Sequence, residues 1–271
     1  MARYLLTAAA LLALGASPLW AEEPENPLEP SETWSELQYD VVGDAEIAEA
    51  GDLFTVDAPY RAHDAATVPV TITQTNPDTP ITGATVVIDE NPAPVAAEFE
   101  FSSAMAPLDF EMRVRVNQYS NVRVLAETPD GLRMAGRFVK ASGGCSAPAS
   151  RDPELALASA GQMKLRQFGE TGGAAMSTRR REAQIMIRHP NYSGLQRDQI
   201  TQLFIPAHFI DELEVMQGDE LLFSMTGGIS ISENPVFRFS YADNGSETLR
   251  VRAHDTEGKV YEQELSKSAE S

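Results

Sequence analysis

One thiol stands out among the residues able to do chemistry. The chain of 271 residues holds a single cysteine, Cys145, in the stretch KASGGCSAPASRDP (140–153). Two glycines precede it, and serine, alanine and proline follow. A lone cysteine cannot pair within its own chain, so it serves as an intermolecular link, a small buried hydrophobe or a free thiol kept for its chemistry. The small residues around it show no strand or helix periodicity, which favours an exposed, reactive thiol. The four histidines, His63, His189, His208 and His254, lack ligand spacing, so no metal centre is expected. His189, in RHP, reads as a turn-stabilising residue near the joint. There is no Gly-x-Ser-x-Gly elbow, His-Glu-x-x-His, Gly-x-Gly-x-x-Gly or Cys-x-x-Cys, so neither a catalytic site nor a cofactor is expected. The nine methionines form no stripe, and DNGSETLRVRAHD misses the calcium-loop order.

The elements that must position the thiol follow from periodicity. In TVPVTIT, Val68, Val70 and Ile72 share one face; in DFEMRVRV, Phe110, Met112, Val114 and Val116 alternate with Glu111, Arg113 and Arg115; AAEFEF and EAQIMIR behave alike. Such alternation means half-buried antiparallel strands. Turn signals separate the runs: NPDTP, ENPAP, a hairpin at TPDG (128–131), and an Asn-Gly hairpin in ADNGSE between VFRFSY and TLRVRAH. The fold expected is all-β: two immunoglobulin-like β-sandwich domains in tandem, residues 38–141 and 163–268, joined by a Gly/Pro/Ala-rich linker at 142–162 that carries Cys145. Asp152 and Pro153 look like the start of a short helix within the linker, with Gly161 past its end.

Residues 1–21 have a basic Arg3, an apolar core and small residues before a cut after Ala21, the pattern of a secretory signal peptide. The acidic, Pro-rich segment 22–37 is expected to start as a mobile tail and pass into a short helix capped at TWSE (33–36). The formal net charge of −19 becomes −20 once the segment with Arg3 is removed. That balance argues against nucleic acid and against anionic membrane surfaces as partners. The Arg179–Arg181 run reads as a solvated strand entry. Asn191 and Asn244 match the glycosylation sequon, a tripeptide that often occurs by chance.

With these residues in view, the chain resembles a fusion of SoxY and SoxZ, the two subunits of a sulfur carrier, and in particular the SoxYZ-like carriers associated with quinoprotein dehydrogenases. APYRAHDAATVPVTI (58–72), ENPAPVAAEFEF (90–101) and the strand running into VKASGGC resemble SoxY. IRHPNYSGLQRD (187–198), FIDELEV (209–215) and ISENPVFRFSYADNGSETLRVRAHDTEG (231–258) resemble SoxZ. The resemblance implies a bacterial periplasmic location and covalent attachment of a sulfur-containing intermediate at Cys145. Gly143, Gly144 and Ser146 would then form the flexible arm, although SoxY carries glycines where Ser146 and Ala147 stand and ends there. It also implies partner enzymes of the sulfur-oxidation type, a c-type cytochrome or a quinoprotein alcohol dehydrogenase. The chain itself would be a monomer or a disulfide-linked dimer. Two other readings stay open: a non-carrier adaptor for a quinoprotein dehydrogenase or its cytochrome, and a redox sensor. The tethered loop limits the arm's reach, and Arg151 or the helix start at Asp152 offers the thiolate its electrostatic support.

Overall fold

The structure is a computed structural model that describes residues 25–149, 153–171 and 180–268. The proposed signal segment, Arg151, Asp152 and Arg179 lie outside the described residues. In the first half, helix α1 (Glu32–Val42) precedes β1 (Ile47–Glu49), β2 (Phe54–Asp57), β3 (Val68–Gln74), β4 (Gly83–Ile88), β5 (Val95–Phe101), β6 (Asp109–Val114), β7 (Ser120–Thr128) and β8 (Gly131–Val139). In the second, helix α2 (Pro153–Ala158) precedes β9 (Met163–Thr171), β10 (Arg180–Ile187), β11 (Ile210–Gln217), β12 (Glu220–Gly227), β13 (Val236–Ala242), β14 (Thr248–Asp255) and β15 (Val260–Ser266). The alternating positions face inward as expected: Val68, Val70, Ile72, Phe110, Met112, Ala183 and Ile185 are all fully buried. Gly131 takes φ +102° in the expected β7–β8 hairpin.

These strands form two immunoglobulin-like sandwiches in tandem, and the sandwiches join edge to edge. One layer runs β1-β8-β7-β4-β5-β12-β11-β14-β15 and the other β2-β3-β6-β13-β10-β9. At the seam Phe101 opposes Phe223, Phe99 opposes Met225, Met112 opposes Phe237 and Phe110 opposes Phe239. Between the layers the Phe110 ring meets Phe99 at 4.9 Å and Phe223 at 5.2 Å, both edge to face. Such aromatic pairs add to the apolar burial. One core therefore runs through both halves. The linker is not a hinge between independent bodies, because ladder hydrogen bonds and aromatic packing hold the halves together.

Several local expectations are corrected. The Asn-Gly turn in ADNGSE does not close a hairpin: β13 lies in one layer and β14 in the other, so residues 243–247 form an arch. Arg115 is buried, not solvent-facing, because β6 ends at Val114 and the next residue passes under the second half, its N–H donating to Ser230 O at 2.7 Å. Arg180 is also buried and donates to the carbonyls of Met105, Ala106 and Pro107; Arg181 pairs with Asp243 at 2.6 Å.

The N-terminal segment is pinned rather than loose. Asn26 donates to the carbonyls of Ala58 and Phe138, and Glu29 exchanges two bonds with the Asn121 side chain. Helix α1 starts two residues earlier than TWSE suggests: Ser31 Oγ accepts from Trp34 N at 3.0 Å, and Thr33 instead donates to Glu90. Trp34 is buried against Val87 and Leu125 on the outer face of the larger layer, under the Arg123 guanidinium at 4.7 Å. Ser31→Ala is expected to lower stability by about 1 kcal/mol, read as a shifted urea midpoint with an unchanged slope.

Candidate functional site

The chain leaves β8 and folds residues 144–146 into a single 3₁₀ turn at the seam. Cys145 within it is fully buried, which overturns the expectation of an exposed thiol. The cause is how closely the small residues let backbones approach. Gly143 takes the left-handed conformation (φ +78°), and its N–H donates to Asn117 O at 2.8 Å. Gly144 donates to Val116 O at 3.1 Å, and a Cβ there would stand 2.1 Å from Ala65 O. The two glycines thus serve the closed packing, by positive φ at the first and absent bulk at the second. Ser146 is exposed and caps back onto Gly143 O at 3.3 Å.

Three side chains hold the turn from outside. Arg115, 1 % exposed, donates through Nη1 to Gly144 O at 3.2 Å, through Nη2 to Asn191 O at 3.1 Å and through Nε to Ile231 O at 3.3 Å. One guanidinium thereby joins the linker to two loops of the second half. Ser193 Oγ donates to Cys145 O, and Gln196 Nε2 donates to Ala147 O at 3.0 Å. The 193–204 segment that supplies these donors carries exposed Ile200, Leu203 and Phe204. Beside the turn, Ser146, Pro148, Leu195, Arg197, Gln199 and Gln202 line an open groove of about 270 Å³.

Burial pushes the Cys145 thiol up to about 11, and the Arg115 charge offsets this only in part. The closed form is therefore a neutral thiol near neutral pH. Burial also lowers the Arg115 pKa, against the opposing influence of Cys145, Glu233 and Asp64. The cation beside the thiol is thus Arg115, which period-two reading assigns to solvent. The candidates from sequence, Arg151 and Asp152, lie outside the described residues.

The structure also assembles a group that linear spacing hides. His189, His208 and Asp255 are buried together: His208 Nε2 is 2.9 Å and His189 Nε2 is 3.5 Å from Asp255 Oδ2. His189 and His208 stand at the two ends of the long loop between β10 and β11, and Asp255 ends β14, so only the folded topology brings them together. His254 is elsewhere, paired with Asp211 at 2.8 Å, and His63 is exposed. Asn191 is fully buried, which rules out its sequon as a surface site.

Comparison with known proteins accounts for both halves. Residues 38–145 match the family model of the sulfur oxidation protein SoxY, and residues 173–266 match that of the sulphur oxidation protein SoxZ. A solved structure of the sulfur carrier protein SoxY from Chlorobium limicola f thiosulfatophilum is 26% identical, with 40% of this chain and 94% of that chain covered and a TM-score of 0.34. No curated protein matches the chain. The SoxY match ends on Cys145 itself, at the turn described above, and the SoxZ match contains the loops that cover it. The chain is a SoxY-family domain and a SoxZ-family domain fused in that order.

Proposed function

We propose that this protein is a sulfur carrier that binds a sulfur-containing intermediate covalently at Cys145, keeps it enclosed in the closed form and presents it when partner enzymes open the turn. The observation that carries this reading is the position of the only cysteine: it is the last residue of the SoxY match, preceded by Gly143 and Gly144. The partners would be enzymes of the sulfur-oxidation type, a c-type cytochrome or a quinoprotein dehydrogenase, and the place of work the periplasm. Chemistry is left to them, since a carrier thiol exchanges its cargo through the partner's active site.

Enclosure changes how such a carrier works. The turn is closed by five hydrogen bonds, from Gly143, Gly144, Arg115, Ser193 and Gln196. At about 1 kcal/mol each they hold the open form near one part in 10⁴. A partner must supply about 5 kcal/mol of differential affinity for the open form. The exposed Ile200, Leu203 and Phe204 sit on the segment that carries Ser193 and Gln196, so a partner contacting them acts directly on the closure.

Intact-mass measurement on protein purified from its native host without reductant tests the reading. Added mass from sulfur atoms or an organic thiol on the wild type, absent from Cys145→Ser, is the expected result. The competing reading, an adaptor for a quinoprotein dehydrogenase or its cytochrome with Cys145 as a packing residue, draws on the burial of the thiol and its raised pKa. An unmodified mass, with normal growth of the Cys145→Ser strain on sulfur compounds and alcohols, would select the adaptor.

A further inference from the structure

We propose that His189, His208 and Asp255 form a binding site for a zinc-type divalent cation in the SoxZ-like half. The hydrogen bonds around His189 fix its tautomer. Asn191 Nδ2 donates to Ser232 O at 3.1 Å and the Ile210 N–H reaches Asn191 Oδ1 at 3.2 Å, so this oxygen can only accept. His189 Nδ1 lies 2.7 Å from it and therefore carries the proton; the Asn191 N–H, 3.1 Å from the same nitrogen, cannot displace the shorter contact. With that proton on Nδ1, the acceptor nitrogen of the His189 imidazole is Nε2. Its Nε2 is then a bare lone pair, and it is buried with no hydrogen-bond partner among the described residues, in a side chain only 1 % exposed.

That lone pair faces an oxygen with nothing to give it. Asp255 Oδ2, 3.5 Å away, already accepts from His208 Nε2 and from Tyr261 O–H, each at 2.9 Å. A lone pair turned toward a buried carboxylate is repulsive, and a cation between them reverses the sign. Tetrahedral zinc with bonds of about 2.0–2.2 Å places its donor atoms about 3.3 Å apart. The 2.9 and 3.5 Å separations from Asp255 Oδ2 bracket that value, while the three donor atoms span up to 4.8 Å, so one histidine ring must shift inward for both to reach the same ion.

The outer contacts fit the same purpose. Ligating imidazoles hold their second nitrogen by an acceptor. His189 Nδ1–H has Asn191 Oδ1, and His208 Nδ1 stands 3.7 Å from Glu257 Oε1. On binding, His208 Nε2 gives up its hydrogen bond to Asp255 Oδ2 to face the ion, and its Nδ1 lies 3.7 Å from Glu257 Oε1. Asp255 Oδ1 is fixed by the N–H groups of Glu257 at 3.0 Å and Lys259 at 2.9 Å, which leaves Oδ2 for the ion. The Tyr261 phenol donates to Asp255 Oδ2 at 2.9 Å and so orients the carboxylate. Two imidazoles with one carboxylate favour zinc and its neighbours over calcium or magnesium, which prefer all-oxygen sites.

The test uses the full mature chain, stripped with chelator, titrated with ZnCl₂ and dialysed against metal-free buffer. About one zinc ion per chain should remain, with a raised melting temperature. His208→Gln, at the edge of the cluster, and Asp255→Asn should each weaken binding by at least about 10-fold. His254→Ala, at the separate half-buried pair with Asp211, should bind as the wild type. Near-UV circular dichroism reports whether each stripped variant is folded, and His208→Gln keeps the test valid if Asp255→Asn is not. Cobalt in place of zinc should give the intense visible bands of a tetrahedral site. Retention of no zinc by the wild type, or undiminished retention by folded His208→Gln, would overturn the proposal.

Discussion

Gly144→Ala is expected to raise the rate at which a thiol reagent modifies Cys145 in the native protein by about 10–100-fold. A Cβ at this position would stand 2.1 Å from Ala65 O and 2.7 Å from Val116 O, both backbone atoms that cannot rotate away. Overpacking of this kind costs about 1–3 kcal/mol. The cost falls on the closed form alone, because in the open form the turn no longer lies against those carbonyls. The open fraction rises accordingly, and the melting temperature falls by only a few degrees, roughly 2–4 °C per kcal/mol for a chain of this size. Kinetics with Ellman's reagent at constant pH measure the effect, with protein in urea as the fully accessible reference. A swinging arm with a solvent-exposed thiol makes the opposite prediction: the wild type would react at the reference rate and the alanine would change nothing. An unaltered slow rate in Gly144→Ala would show that the closure is not what protects the sulfur.

Arg115→Ala is expected to destabilise the protein by about 3–5 kcal/mol and to lower its melting temperature by roughly 10 °C. Three carbonyls, those of Gly144, Asn191 and Ile231, lose a charged donor at once, and all three lie where water does not replace it easily. Lysine should not rescue the loss, because one ammonium on a flexible stem cannot reach three acceptors arranged for a planar fork. The same substitution frees the linker turn, so Cys145 should become more reactive in the residual native state. Calorimetry together with thiol kinetics separates the two effects. A loss of stability without faster modification would confine Arg115 to structural support of the loops.

Both predictions concern features that local patterning conceals. Alternation identified Val68, Val70, Ile72, Phe110 and Met112 as inward-facing because each sits inside a strand, where the pleat enforces period two. Arg115 continues the same pattern on paper, but β6 has ended, and the side chain is claimed by loops far away in sequence. The Asn-Gly turn misled for a related reason: left-handed backbone suits an arch between layers as well as a hairpin within one, and only layer assignment distinguishes them. The family and the two-sandwich fold were legible from distributed motifs. The sharing of both sheets was not, because edge pairing between halves leaves no mark on strand periodicity. Gly143 and Gly144 were read as slack, whereas one supplies a left-handed φ and the other makes room for a carbonyl. His189, His208 and Asp255 come together from the two ends of one long loop and the end of β14, which no spacing rule anticipates.

The edge pairing of β5 with β12 and of β6 with β13 bears on why the two domains share one polypeptide. Separated, each would present two open strand edges and an apolar aromatic flank, the surfaces on which chains associate wrongly. Tethering turns a concentration-dependent encounter into an intramolecular one and fixes the ratio of the halves at one to one. The fusion therefore guarantees at synthesis what a pair of separate subunits must find by diffusion, and neither half is left without its mate.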